Sequence, residues 1–239
     1  MIFDDFHIKA FGANAILVQW QAVPSPELFQ HLNSGKKYIE GLLDKEVILS
    51  YRELLIKDIA PTKKHIEKLS VGLRQNFSAT STAQLQRLVR VPVCYELEFG
   101  EDLETLAKAK NISQQQLIAL HTAPEYLVYF LGFLPGFPYL LGLDAILHTP
   151  RKAVPSRKLV KGSVAIGGEQ TGIYPQDSPG GWHVIGHCPI PLFDATALDS
   201  TLFHIGDIVK FQTITKDEHS RLSQMSLEEF INSSYIHCG

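Results

Sequence analysis

The chain has little material for a stapled fold: of 239 residues only three are cysteines, Cys94, Cys188 and Cys238. An odd number at such wide spacing argues against a disulfide framework and fits a reducing compartment, so the expected location is cytoplasmic. No apolar run is long enough to cross a bilayer as a helix. The opening MIFDDFHIKAFG is acidic early and lacks the basic stretch and apolar core of a secretory leader, so none is expected. Lysine plus arginine number 22 against 25 aspartate plus glutamate, a net charge of −3. Without a global positive field, neither nucleic acid nor an acidic membrane is an expected partner. The chain also lacks GxxxxGK[ST], GxSxG and HExxH, which removes a Walker loop, a nucleophile elbow and a zincin helix from consideration. Internal repeats and low-complexity segments are missing as well.

What is present is an ordinary globular composition, 45% hydrophobic and 20% charged, enough for one large core or two modest ones. The first ninety-odd residues mix two periodicities. Ala15–Trp20 (AILVQW), Val47–Tyr51, Leu54–Ile59 and Leu88–Tyr95 read as strands, with Pro92 marking the last as an edge or a strand end. Pro26 opens a helix carrying Leu28, Phe29, Leu32, Ile39 and Leu42, and Thr62 caps a second through Ile66, Leu69 and Leu73. This interleaving predicts a small α+β sandwich of ferredoxin-like type over residues 1–95. Two short helices capped by Asp102 and Ser113 follow, forming a connector over 96–131. Beyond 132 the helical period vanishes, and short β runs at 163–167, 182–186 and 208–213 predict a closed or nearly closed β structure over 132–239. A helical tail from Lys216 is capped by Ser226.

Three segments stand out. GFLPGFPYLLGL (132–143) and IGGEQTGIYPQDSPGGW (166–182) interleave glycine and proline with large aromatics, a composition suited to shaped surface rather than simple connection. In the first run Phe133, Phe137 and Tyr139 supply flat apolar area, either as a core plug or as the wall of a pocket, and Trp182 closes the second run. Gln170 and Tyr174 suit hydrogen bonding to an amide or carbonyl. Ser178 and the Gly180–Gly181 amides belong to the same turn, which otherwise serves as scaffold. Between them, residues 148–163 carry Arg151, Lys152, Arg157, Lys158 and Lys161 with no acidic residue, an ordered basic loop for a carboxylate, a phosphate or an acidic partner. His183 and His187 would share one face of a strand, too far apart and too few for a metal site, so no metal is expected. His121 and Glu125 lie at a helix end broken by Pro124, where a satisfied structural histidine is the simpler reading.

The runs HTAPEYLVYFLGFLPGFPYLLGL (121–143) and PRKAVPSRKLVKGSVAIGGEQTGIYPQDSPGGWHVIGH (150–187) resemble the family of 5-oxoprolinase B subunits. That family also takes in a sporulation-kinase inhibitor and the C/D portion of carboxyltransferase domains, and was formerly labelled as the first subunit of allophanate hydrolase. The resemblance implies a ferredoxin-like domain followed by a cyclophilin-like β-barrel. It also implies ATP-dependent opening of 5-oxoproline to L-glutamate, shared with the A and C subunits and using ATP with Mg2+ at the level of the complex. On that basis Arg151, Arg157, Gln170 and Tyr174 are the catalytic candidates, and Phe137, Ser178, Gly180, Gly181 and Trp182 the substrate-binding ones. Two alternatives share the fold: a regulator that blocks a histidine kinase by direct binding, and half of a carboxyltransferase or amidohydrolase acting on a urea-like amide. The chain departs from the family pattern at 156–160, and at His187-Cys188 where the family carries Arg-Thr, so His187 is not carried over as catalytic.

Overall fold

The structure is a computed structural model that describes residues 3, 5–75, 87–197 and 200–238. The chain divides into two units, Met1–Gln84 and Leu85–Gly239.

In the first unit, strands β1 (Phe6–Ala10) and β2 (Ala15–Trp20) form a hairpin, followed by α1 (Pro26–Leu43), β3 (Val47–Ser50), β4 (Glu53–Lys57) and α2 (Lys63–Gln75). The Ser25 hydroxyl caps α1 by accepting the Leu28 N–H, and Pro26 fits the first turn because its missing N–H has no partner to lose there. The antiparallel sheet has the order β1-β2-β4-β3, with α1 packed on β3 and β4 and α2 on β1. This is the ferredoxin-like βαββα order with one change. The strand that ordinarily follows the second helix is replaced, at the same edge beside β2, by the N-terminal β1. Ile16, Val18, Leu28, Leu32, Ile39, Leu54, Ile56 and Leu69 are fully buried and make its core.

The second unit begins with β5 (Arg87–Val93). The predicted boundary at 95 therefore moves: Leu88–Tyr95 is a strand, but it belongs to the second unit, where β13 lies beside it. The region 96–131 is likewise not a separate connector. Its helices α3 (Leu103–Ala109) and α4 (Gln114–Thr122) contribute Leu103, Leu106 and Leu117 to the main core of this unit, and β6 (Tyr126–Leu131) is one of its strands. There follow β7 (Pro138–Leu141), a 3-10 turn at Ala145–Leu147, β8 (Ser156–Leu159), β9 (Ser163–Gly167), β10 (Gln170–Ile173), β11 (Ser178–Gly180), β12 (His183–His187) and β13 (Ile208–Thr213). Helices α5 (Lys216–Leu222) and α6 (Leu227–Ile231) lead to β14 (Ile236–Cys238).

Eight strands form one sheet in the order β12-β9-β10-β7-β6-β13-β5-β14, and β8 and β11 pair separately. Beyond β5, Cys94 and His187 exchange two backbone hydrogen bonds of 2.9 Å, which bring the sheet's first strand back against β5. The sheet thus curls into a barrel, the cyclophilin-like part of the α+β fold. Pro92 sits beyond the stretch of β5 that β14 covers, so its missing N–H costs no ladder bond. Arg87 forks onto Asp207 at 3.1 and 2.7 Å, and Asp207 also accepts the His204 N–H, fastening β5 to the start of β13.

The strands around the barrel lack a clean period for a physical reason. Val164, Ile166, Ile173 and Ile185 face the main core, while Ala165, Val184, Tyr174 and Trp182 face a second apolar cluster that includes Phe137 and Leu159. Both faces are buried, so polar and apolar positions do not alternate. Cys94 and Cys188 are buried free thiols; the Cys238 side chain lies outside the described part.

Candidate functional site

The two Gly/Pro/aromatic runs and the basic loop meet at one place. A pocket of about 260 Å3 is lined by Phe133, Phe137, Tyr139, Arg151, Pro155, Tyr174, Pro179, Gly180, Gly181 and Trp182. It lies over the second apolar cluster, on the sheet face opposite the main core. Its floor is a set of rings in edge-to-face contact. Phe137 meets Tyr174 at 5.2 Å and Trp182 at 5.5 Å, both near 82°, an arrangement that sets the positive edge of one ring against the negative face of the next.

Glycine makes this packing possible by close approach more than by unusual dihedral angles. A Cβ on Gly167 would overlap the Trp182 indole, and one on Gly172 would sit 2.8 Å from the Pro138 carbonyl oxygen and 3.0 Å from the Phe137 ring. A Cβ on Gly180 would lie 2.5 Å from the Tyr174 hydroxyl. Gly168 also needs its positive φ: at +67° it is the first central residue of the two-residue turn joining β9 to β10, as a II′ hairpin requires.

Three polar side chains line the pocket, Arg151, Tyr139 and Tyr174, and two of them have no hydrogen-bond or acidic partner among the described residues. The Arg151 guanidinium carbon lies 5.9 Å from the centroid of Trp182, and among the described residues this guanidinium has no acidic partner. The Tyr174 hydroxyl, seated on Gly180, has no hydrogen-bond partner among the described residues. Burial, with Tyr139 nearby, pushes the Tyr174 phenol up to about 12, although Arg151 works in the other direction. Tyr174 is therefore a neutral donor across the ordinary pH range. Among the described residues the lining holds no carboxylate, imidazole or thiol. Such a site can bind a flat ring bearing one negative charge and donate a hydrogen bond to it. It holds no general base or nucleophile of its own.

Phe133 stands at the rim with φ +68°, a left-handed conformation that is strained for a bulky residue, and it is 62% exposed. A side chain held this way is a wall and not a core residue. Phe133→Gly is expected to hold or raise the thermal unfolding midpoint, because the strain disappears, whereas truncating a packed phenylalanine costs about 3–5 kcal/mol. A clear fall in the midpoint would show that the ring is structural.

Of the residues singled out in the sequence, Phe137, Arg151, Tyr174, Gly180, Gly181 and Trp182 come together here. Three do not join them. Arg157 is exposed on β8, Gln170 is buried in β10 opposite Gly167, and Ser178 is buried in β11, where its hydroxyl donates to the Pro179 carbonyl. A one-residue step along a strand moves a side chain to the other face, and only the observed pairing reveals which face that is. Phe133, Tyr139, Pro155 and Pro179 are lining residues not singled out as site residues in the sequence, although all four lie inside the segments that stood out.

The remaining candidates resolve as scaffold. His183 Nε2–H donates to the Pro150 carbonyl. His187 Nε2–H donates to the Lys161 carbonyl while its Nδ1 accepts from His219 Nε2 at 2.8 Å, so His187 belongs to the closing seam of the barrel. Among the described residues no group of three or more His, Cys, Asp or Glu side chains is placed to hold a metal ion. No described helix is long and apolar enough to cross a membrane. His121 is fully buried. Thr171 donates to the Ala165 carbonyl at 3.1 Å, so its oxygen accepts from His121 Nε2–H at 2.9 Å, leaving His121 Nδ1 to accept from the Tyr95 hydroxyl at 2.8 Å. Asp102 does not cap α3. Its carboxylate accepts the Val184 N–H at 2.7 Å and pairs with Lys152.

Residues 6–203 match the family model described as carboxyltransferase domain, subdomain C and D. The 5-oxoprolinase B subunit of Bacillus subtilis (strain 168) is 48% identical over 159 residues, covering 66% of this chain and 64% of that protein. The protein of the same name from Haemophilus influenzae is 39% identical over 183 residues, covering 76% of this chain and 82% of its own length. Among solved structures, the Kluyveromyces lactis urea carboxylase superimposes with a TM-score of 0.77 over 98% of this chain and 24% of that one. At 16% identity that likeness shows the fold alone.

Proposed function

Because the chain belongs to the carboxyltransferase-domain family (subdomains C and D), among its 5-oxoprolinase B subunits, we propose that it is a subunit of 5-oxoprolinase whose pocket holds the lactam substrate. On this reading Arg151 pairs with the carboxylate of 5-oxoproline, the ring lies on the Phe137–Trp182 floor, and the Tyr174 hydroxyl donates to the lactam oxygen. One observation carries it: a guanidinium and a neutral phenol, neither with a partner among the described residues, face the same small aromatic pocket. An apolar floor with one cation suits a neutral ring with a single carboxylate. It disfavours the product, whose ammonium and second carboxylate find no partners in the lining.

Among the described residues the lining has no carboxylate, imidazole or thiol to serve as base, nucleophile or Mg2+ ligand. The pocket therefore does not fit a nucleoside triphosphate with its metal, and no phosphoryl-transfer step is assigned to this chain. A lactam is a poor electrophile whose oxygen must be activated, so ATP and the reacting groups are proposed to come from the A and C subunits. This chain then contributes binding and orientation, and its isolated form is expected to be inactive. The test is 5-oxoproline-dependent ATP hydrolysis by the A and C subunits with and without this chain. Stimulation by the chain supports the reading, and turnover equal to that of the A and C subunits alone sinks it.

A further inference from the structure

We propose that Asp102 is a positioning residue for Arg151, acting through Lys152. The basic loop holds two neighbouring cations with opposite fates. Lys152 Nζ lies 2.7 Å from Asp102 Oδ2, 3.8 Å from Glu101 Oε1, and donates to Ser156 Oγ at 3.1 Å. Its ammonium is neutralised by Asp102, and the Lys152 and Asp102 side chains are only 18% and 19% exposed. Arg151, one residue earlier, has no such partner among the described residues and reaches over Trp182.

The loop around Arg151 is tied on both sides to the segment that carries Trp182. Before it, the Pro150 carbonyl accepts from His183 Nε2–H at 3.0 Å. After it, the Lys152 N–H donates to the Gly181 carbonyl at 2.7 Å. Asp102 locks the same place from behind. Its N–H donates to the Val184 carbonyl at 2.9 Å, and Oδ2 takes both the Val184 N–H and the Lys152 ammonium. One carboxylate oxygen thus holds the strand that follows Trp182 and the loop that bears Arg151. The carboxylate also removes Lys152 as a rival cation, so a substrate anion meets one guanidinium in a fixed position. A half-buried ion pair that forgoes the helix cap available to it has been put to use across the fold.

This inference rests on the reading that Arg151 holds the substrate carboxylate, and the test separates the two. In the complex reconstituted with the A and C subunits, KM and kcat for 5-oxoproline are measured for Asp102→Asn, Arg151→Ala and the double variant. An asparagine side chain at this position still offers an oxygen to the Val184 N–H while losing the charge. D102N is expected to raise KM about tenfold with kcat nearly unchanged, since a displaced positioning group costs up to about a hundredfold. R151A is expected to raise KM further, and the double variant to be no worse than R151A, because the two act as one unit. Lys152→Arg, which keeps the pair, should stay near the parent, and Lys152→Met should match D102N; K152M carries the test if D102N does not fold. If R151A leaves KM unchanged, the reading of the pocket is wrong and the positioning role falls with it. If R151A raises KM while D102N and K152M do not, or if their effects add to it, only the positioning role is overturned.

Discussion

Replacing His121 by leucine is expected to cost about 3–5 kcal/mol of stability near neutral pH and to remove a pH dependence that the parent chain shows. His121 is fully buried, stacked 4.5 Å from Phe211, and bonded at both ring nitrogens. Leucine leaves the buried Tyr95 hydroxyl without its acceptor, and an unsatisfied buried group costs about 1–3 kcal/mol beyond the lost packing. Burial pushes the imidazole down to about 3 from its ordinary 6.5. Between those values the unfolded chain binds a proton that the folded chain refuses. The stability from the neutral imidazole is complete above pH 6.5 and falls by about 1.4 kcal/mol per pH unit as pH drops toward 3. His187 and His219, also lowered by burial, act with the same sign in both proteins and cancel in the comparison. Urea unfolding at pH 7.5 and 4.5 checks this: the gap between parent and H121L should shrink on acidification. Parallel curves would mean that His121 is not held neutral.

Introducing valine at Gly180 is expected to lower kcat/KM of the reconstituted complex by at least about a hundredfold, while overpacking costs about 1–3 kcal/mol of stability. The first carbon of any side chain there would lie 2.5 Å from the Tyr174 hydroxyl and 2.7 Å from Leu159 Cδ1. Since β11 is fixed by its pairing to β8, the phenol must yield, and it is one of the three polar side chains that line the pocket. Tyr174→Phe separates the hydroxyl from the shape of the ring. It should keep the fold and lose about a hundredfold to a thousandfold in kcat/KM, as expected for one donor toward a developing negative oxygen. A G180V complex that turns over normally would place the substrate elsewhere on the molecule.

Much of this protein was legible before its fold. The helix at Pro26–Leu43 and the Thr62, Ser113 and Ser226 caps follow from local rules, because each rests on contacts within a few residues. The strands at 163–167 and 208–213 follow from β-rich runs between turn signals, although β13 finds its partners, β5 and β6, far away in the chain. The site was legible in its segments, since glycine, proline and aromatic residues at high density have few uses besides shaped surface. What stayed hidden was long-range. Nothing in FHIKA or YIHC announces that β1 fills the edge beside β2 or that β14 joins β5, because an edge strand is specified by its neighbour. The charge on Asp102 read naturally as a helix cap, and only the approach of β12 and the loop at 149–155 redirects it.

The sequence by itself determined the composition of the pocket: which aromatic rings, which glycines, and a basic loop with no acid in it. The tertiary structure decided which of two neighbouring cations has no acidic partner among the described residues. Lys152 and Arg151 are adjacent in the chain and both basic, yet one is neutralised by a carboxylate fifty residues earlier in the chain and the other is not. Coulombic pairing depends on distance in space, which a sequence does not carry. For the same reason, the two faces of strands buried on both sides, and with them the placement of Gln170 and Ser178 away from the pocket, were settled only by strand pairing.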